Sequence, residues 1–428
     1  MILPAGSFPA SREGGVGLGT GVLLLVAAAT LAEGGELELH GVGAARGLAV
    51  ESRPAWIDGG FGRLTEGQDA ASFEGAVRAE AELGLDWSPS PVVLLRLQGA
   101  ARTEPGAAGG WRAGLVEAFL QYRPELRPGA ALRLRAGLMF PPTSRENVDP
   151  LWQSPYTLTL SALNSWIGEE VRLTGLDVAA LLGSSGRSRF ELGGMAFGGN
   201  DTAGALLAWR GWAFGPRLAV AGETLPLPPL PTLAPGGPFA AQRGDGTVPV
   251  DELDGRVGWH ARGRWSRDGL GLLQAAWTDN RGDRGLHRGQ YAWDTRFASF
   301  GAEAQLGRLR FVAEGLLGDT GMGPAEGPRV DVRIRAGYAL LTWPGFGDRL
   351  RLTARLDGFR NDDRDGQAEP NGESGWAMTF AFLCSPRPWL RAGVEYLDLR
   401  SDRPAAAFSG TPASTNGRRA QAELRLRF

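Results

Sequence analysis

From Glu36 to the end of the chain, apolar and polar residues alternate with a period of two, in segments of about ten residues. The helix period is weak throughout. In Leu350-Arg351-Leu352-Thr353-Ala354-Arg355-Leu356-Asp357 the apolar set is Leu350, Leu352, Ala354 and Leu356, and the alternate set is Arg351, Thr353, Arg355 and Asp357. In a strand these sets face opposite sides. The pattern recurs at Val77 to Trp87, Leu132 to Leu138, Val257 to Trp265, Val332 to Leu340 and Ala420 to Phe428.

A soluble sandwich alternates too, but here the connections also alternate, in length. Short turns stand at Ser88 to Pro91, Glu125 to Gly129, Gly183 to Ser188, Gly215-Pro216, Arg267 to Gly269, Gly307-Arg308, Pro344 to Asp348 and Ser385 to Pro388. Longer Gly- and Pro-rich stretches lie near 51–72, 104–111, 141–167, 225–253, 281–295, 318–329, 361–374 and 401–417. One connection, Asn200 to Thr202, is short where a long one is expected. Short turns on one side and long loops on the other are the layout of an outer-membrane barrel, whose tilted strands cross in about 9–11 residues. The expected fold is therefore all-β: a transmembrane antiparallel barrel of about eighteen strands. The weakest segments are the first, near 36–50, and a pair around 203–224, so sixteen is the alternative. Trp87, Tyr122, Trp343 and Trp389 sit beside short turns, as interfacial girdles do.

Which face meets lipid follows from charge. All 45 basic residues are Arg, since the chain has no Lys, and the polar face carries too many Arg and Glu to fill a dry barrel. Polar residues are expected inside and apolar residues against lipid. A net charge of −2 gives no reason to expect nucleic-acid binding. Cys384 is the only cysteine, and His40, His260 and His287 have no metal-ligand spacing. Neither a GxSxG motif nor a nucleophile–base arrangement is present, so no cofactor and no enzymatic activity are expected.

The uncharged run Gly21 to Ala32, followed by Glu33-Gly34-Gly35-Glu36, reads as the apolar region and cleavage site of a secretory signal peptide over 1–32. The barrel would then span 33–428, exported to the outer membrane.

Two segments carry a resemblance. Ala422-Glu423-Leu424-Arg425-Leu426-Arg427-Phe428 resembles the closing strand of Gram-negative outer-membrane proteins, which implies recognition by the barrel-assembly machinery through Phe428. Arg135-Ala136-Gly137-Leu138-Met139-Phe140-Pro141-Pro142, leading into Ser144-Arg145-Glu146-Asn147, resembles the entry to the long third loop of porins. The phosphate-selective porin O and P family has a comparable Gly-x-x-x-x-Pro step, but it lines its pore with lysines, which this chain lacks. The resemblance implies that residues 141–167 fold into the lumen as a constriction, that small hydrophilic solutes or ions diffuse past it, and that a homotrimer is an assembly to consider.

On that basis Arg145, Glu146 and Asp149 of the loop, with Glu169 and Glu170 beyond it, would face inward arginines across a water-filled gap. The wall candidates are the pairs Arg133/Arg135, Arg262/Arg264, Arg333/Arg335 and Arg351/Arg355, with Arg96, Arg102 and Arg256. Opposed charges of this kind select ions. Their bland reading is that they pair with each other and brace the lumen. Trp152, Tyr156 and Trp166 could stack on sugars, or simply pack the loop against the wall. The alternative function is a plugged barrel whose long loops serve adhesion or assembly.

Overall fold

The computed structural model describes residues 35–428 apart from 105–109, 184–185, 245, 346 and 348; the leader at 1–32 lies outside the described residues. Sixteen strands form one antiparallel sheet closed on itself. In chain order they are β1 Glu36–Glu51, β2 Glu74–Ser90, β3 Val93–Thr103, β4 Trp111–Tyr122, β5 Ala130–Met139, β6 Leu173–Leu182, β7 Ser188–Gly198 and β8 Gly258–Arg267. They continue with β9 Gly271–Asp279, β10 Asp294–Leu306, β11 Leu309–Met322, β12 Val330–Gly345, β13 Leu350–Asp363, β14 Glu373–Arg387, β15 Leu390–Asp402 and β16 Ser414–Arg427. A three-residue strand, Glu125–Arg127, extends the hairpin into β5. Each strand pairs with its chain neighbour, and β16 pairs with β1 from Arg427 opposite Val42 to Arg418 opposite Glu51. Closure satisfies the backbone and leaves no edge, which is what a hydrocarbon surround demands. An even strand count puts the start of β1 and the end of β16 together on the short-turn side.

The count is sixteen rather than eighteen. Residues 203–224 are not a strand pair but part of a long connection, 199–257, that enters the barrel. It contains one turn of π-helix, Leu206–Arg210, and almost all of 200–220 is buried. This stretch is buried on every side, so no regular polar phase marks a face. The short connection at Asn200 to Thr202 is the beginning of this loop.

The outer wall is apolar where expected. Leu352 and Leu356 of β13, Phe380 of β14, and Leu424 and Leu426 of β16 are all exposed, a surface that would aggregate in water and is satisfied by lipid. Among the described residues no helix is long and apolar enough to cross a membrane. Strand β12 reverses the expectation. Val332, Ile334, Ala336, Tyr338 and Leu340 are the buried, inward set, and Arg333 and Arg335 point outward. They pair there with Asp319 and Asp362. The register puts Asp279, Arg296, Asp319, Arg333 and Asp362 directly opposite one another on β9 to β13. The charges alternate along this row on the outer face at the long-loop end.

The reason for the reversal is the position of the main core, which lies inside the barrel. Trp166, Ile167, Leu207, Trp209, Trp212 and Phe214 from two loops pack on Phe297, Leu316, Val332, Ile334, Phe359 and Leu397 from the wall. Each large side chain so buried contributes about 1.5–3 kcal/mol. An apolar filling selects an apolar inner wall.

Candidate pore and the two loops inside it

The third long connection, L3, covers 140–172, enclosing the expected 141–167. It enters beside the wall with Phe140 stacked on Trp152, ring centroids 4.2 Å apart. It then forms a short helix, α1, Ala162–Glu170, whose N-cap Ser161 Oγ accepts from Asn164 N at 3.1 Å. Three of the four acids of this loop, Glu146, Glu169 and Glu170, do not face water, whereas the Asp149 side chain is 30% exposed. Glu146 is fully buried, accepts from Ser161 N at 3.0 Å and Asn164 Nδ2 at 3.0 Å, and pairs with Arg355. Arg355 also donates to Thr159 O at 2.7 Å and to Asp357 at 2.8 Å. Asp357 accepts from Ala162 N at 3.1 Å, and Glu395 accepts from Leu158 N at 2.6 Å. A buried charge is tolerated only when paired and hydrogen-bonded, and this network meets both conditions. Arg351 donates to Pro155 O at 2.5 Å and lies over the Tyr156 ring. Asp149 pairs with Arg427 at 3.5 Å near the short-turn end.

The fourth connection, L4 (199–257), fills the space above α1. Glu169 pairs with Arg210 at 2.7 Å, and Glu170 accepts from Trp166 Nε1, Gly204 N and Leu206 N. Trp212 donates from its backbone to Glu373 at 2.9 Å and from its indole to Asn361 at 2.8 Å. Arg403 donates to the carbonyls of Ala208 and Trp209 at 2.6 and 2.7 Å. Gly204 and Gly211 have φ of +103° and +92°, and a Cβ on either would stand about 2 Å from Thr320 or Glu373. Only glycine lets this loop lie so close to the wall.

The acids Glu146, Glu169 and Glu170 therefore anchor loops, and they do not form the acidic side of a transverse field. The aromatic residues follow suit: Trp166 packs edge-on against Trp212 and Phe297, and Trp152 stacks on Phe140. Packing, rather than sugar stacking, is what their surroundings provide. Arg256 sits in L4, exposed, and not on the inner wall.

What the structure does gather is the pair of arginine runs on β5 and β8. Arg135 pairs with Asp177 of β6 at 3.0 Å, and Arg262 holds the same carboxylate bidentately at 2.5 and 3.1 Å. Glu191 of β7 receives Arg133 at 2.6 Å, Arg262 at 3.0 Å and Arg264 at 3.5 Å. Arg145 of L3 reaches the neighbouring wall, pairing with Glu303 of β10 at 2.9 Å. Arg96 pairs with Asp86, and Arg102 with Glu223 of L4 at 2.8 Å. On the closing strands Arg46, Arg391 and Arg425 surround Glu423. The carboxylates Asp177, Glu191, Glu373 and Glu423, and the L4 residues other than Arg256, were not singled out from the sequence. Asp177 and Glu191 occupy the polar phase of their strands, so the alternation itself carried a signal for them.

His260 faces inward, fully buried, with Nδ1 2.9 Å from Thr278 Oγ1. His287 pairs with Asp283 at 2.9 Å in the 280–293 loop.

Neither a protein-family model nor a curated protein matches the sequence. Solved structures do. The outer membrane channel DcaP of Acinetobacter baumannii matches with a TM-score of 0.55 at 13% identity, over 92% of this chain and 98% of that one. OmpF of Salmonella typhi, in complex with daunomycin, matches with a TM-score of 0.52 at 11% identity, over 92% and 98%. At such identities the likeness is one of fold: this chain has the architecture of a Gram-negative outer-membrane porin barrel.

Proposed function

We propose that the protein is a porin-like channel that passes small hydrophilic solutes or ions across the outer membrane by diffusion. The observation that carries this reading is a barrel apolar outside and charged inside. At the short-turn end the inner wall has partly exposed Arg96, Arg133 and Arg264, together with a cavity of about 880 Å³ whose charged lining is Arg123, Arg133, Arg189 and Arg264 with Glu125 and Glu191. Such a lining holds water and dissolved charge. The reading needs no chemistry at a side chain and no cofactor. Strand β16, ending at Phe428, would present the chain to the barrel-assembly machinery. A small-residue outer wall, with Gly43, Ala45, Gly47 and Ala49 on β1, Gly75 and Ala79 on β2, and Ala420 and Ala422 on β16, would suit close packing of barrels in a homotrimer.

A second reading, a plugged barrel with adhesive or assembly loops, is favoured by the apolar L4 segment packed in the lumen. Single-channel recording of the refolded chain in a planar bilayer separates the two. Discrete ohmic steps are expected for a channel. A folded barrel that gives none supports the plug.

A further inference from the structure

We infer that the wall of β5 to β8 is an anion-selecting step in the lumen, so that the solutes favoured by this barrel are small anions such as chloride and simple carboxylates. The inference rests on the channel reading and adds to it the sign of the permeant charge.

The register brings the cationic residues together. Arg133, Ala179, Gly193 and Arg262 lie in one row across the four strands. Ala179 and Gly193 are small, so the row has a low floor between two guanidinium groups. A Cβ on Gly193 would stand 2.8 Å from Arg262 Cζ, which shows how flat that guanidinium lies on the wall. Arg145 closes over the neighbouring wall from L3, within 3.4 Å of Gln274 Oε1, and Gln274 is the register partner of Arg264.

The ion pairs of this wall join five arginines, 133, 135, 145, 262 and 264, to three carboxylates, Asp177, Glu191 and Glu303, and Glu125 lines the same cavity as Arg133 and Arg264. Position matters as much as number. The side chains of Arg264 and Arg133 are 27% and 18% exposed, whereas those of Glu191 and Asp177 are 8% and 1% exposed. Asp177 and Glu191 lie beneath Arg133 and Arg264, so over β5 to β8 an arriving solute meets these two guanidinium groups before the acids; Glu303 of β10, paired with Arg145, is the exposed acid beside them, at 18%. Little acid on L3 offsets them, because Glu146, Glu169 and Glu170 are spent on anchoring the loops and the exposed Asp149 is paired with Arg427. A low-dielectric wall focuses such a field, and planar guanidinium forks donate paired hydrogen bonds to carboxylates.

The test is the reversal potential of the refolded protein across a potassium chloride gradient. Chloride should permeate in preference to potassium by roughly threefold or more, and the double variant Arg133→Gln/Arg264→Gln should bring the ratio close to one. Arg264→Gln alone serves if the double variant does not fold. Arg333→Gln, on the outer face, should leave the ratio unchanged. Steps without anion preference, or a preference that survives both Gln variants, would overturn the inference and leave the channel reading intact. Absence of steps would sink the channel reading, and binding then decides the inference. Sodium acetate at fixed ionic strength should raise the Tm of the detergent-solubilised barrel more than that of the Gln variants, and equal shifts would overturn it.

Discussion

The carboxylate of Glu170, at the end of α1, accepts a 3.0 Å hydrogen bond from the backbone N–H of Leu206, the first residue of the π-turn in L4. The same carboxylate accepts from Gly204 N at 3.0 Å and from Trp166 Nε1 at 2.6 Å. One buried acid thus joins the two loops that occupy the lumen. Glu170→Ala would strand three buried donors, at a cost of about 2–4 kcal/mol. The strands keep their ladder, so the loss should fall on L4. We expect a lower Tm and larger, noisier single-channel conductance. A variant with the parent's conductance and Tm would show that L4 is held by its other contacts.

Gly211 tests the same seat from the wall side. Its φ of +92° and the 2.0 Å approach that a Cβ would make to Glu373 forbid a side chain. Gly211→Val should push Glu373 from Trp212 N and from Arg63. The expected result is a barrel that still resists unfolding in detergent but exposes L4 to limited proteolysis. Cleavage within 199–257 at the rate of the parent protein would argue that the segment accommodates the change.

The barrel was legible because its strands carry two chemistries in strict alternation. Leu350 to Asp357 shows this best: every second residue proved to face lipid and the others the lumen. The rule failed on β12, where Val332 and Ile334 face the lumen while Arg333 and Arg335 point outward, because what fills the lumen at that point is itself apolar. Residues 203–224 failed for a related reason. A segment buried on all sides has no polar phase to distinguish a loop from a strand. The partnership of Glu146 with Arg355 joins a loop to a strand far along the chain, and nothing local to either residue announces it. The Arg133/Arg135 and Arg262/Arg264 runs were visible as inward pairs, but that they share Asp177 and Glu191 depends on the order of strands in the sheet.

Arg355, which the sequence offers as a wall residue of the pore, is fully buried between Glu146 and Asp357. Its guanidinium also holds the carbonyls of Thr159 and Leu160. Removing one partner from a buried ion network costs about 3–5 kcal/mol, because the acids left behind are uncompensated. Arg355→Met should therefore lower the Tm strongly while leaving ion preference at the parent's value. Adding Glu146→Gln should recover part of the stability. A shift in reversal potential without a loss of stability would return Arg355 to the pore wall.

Asp201 makes L4 sensitive to pH at its entry. Burial pushes its carboxyl up to about 6, helped by the nearby Asp254 and Glu252 and opposed by hydrogen bonds from the backbone of Leu253 and Asp254. A carboxyl whose pKa is raised by folding binds its proton more tightly in the folded chain. The penalty for ionising it is fully present above about pH 6 and is relieved as the pH falls through 6 toward the ordinary carboxylate range. Between pH 7.5 and about 4.5, this residue's contribution should therefore stabilise L4 as acid is added. Asp201→Asn keeps an acceptor oxygen for Leu253 N and Asp254 N but carries no charge. Its stability should exceed the parent's at pH 7.5, and the difference should shrink on acidification. Thermal unfolding of both proteins across that range checks this, and a difference that stays constant with pH would mean that Asp201 does not titrate there.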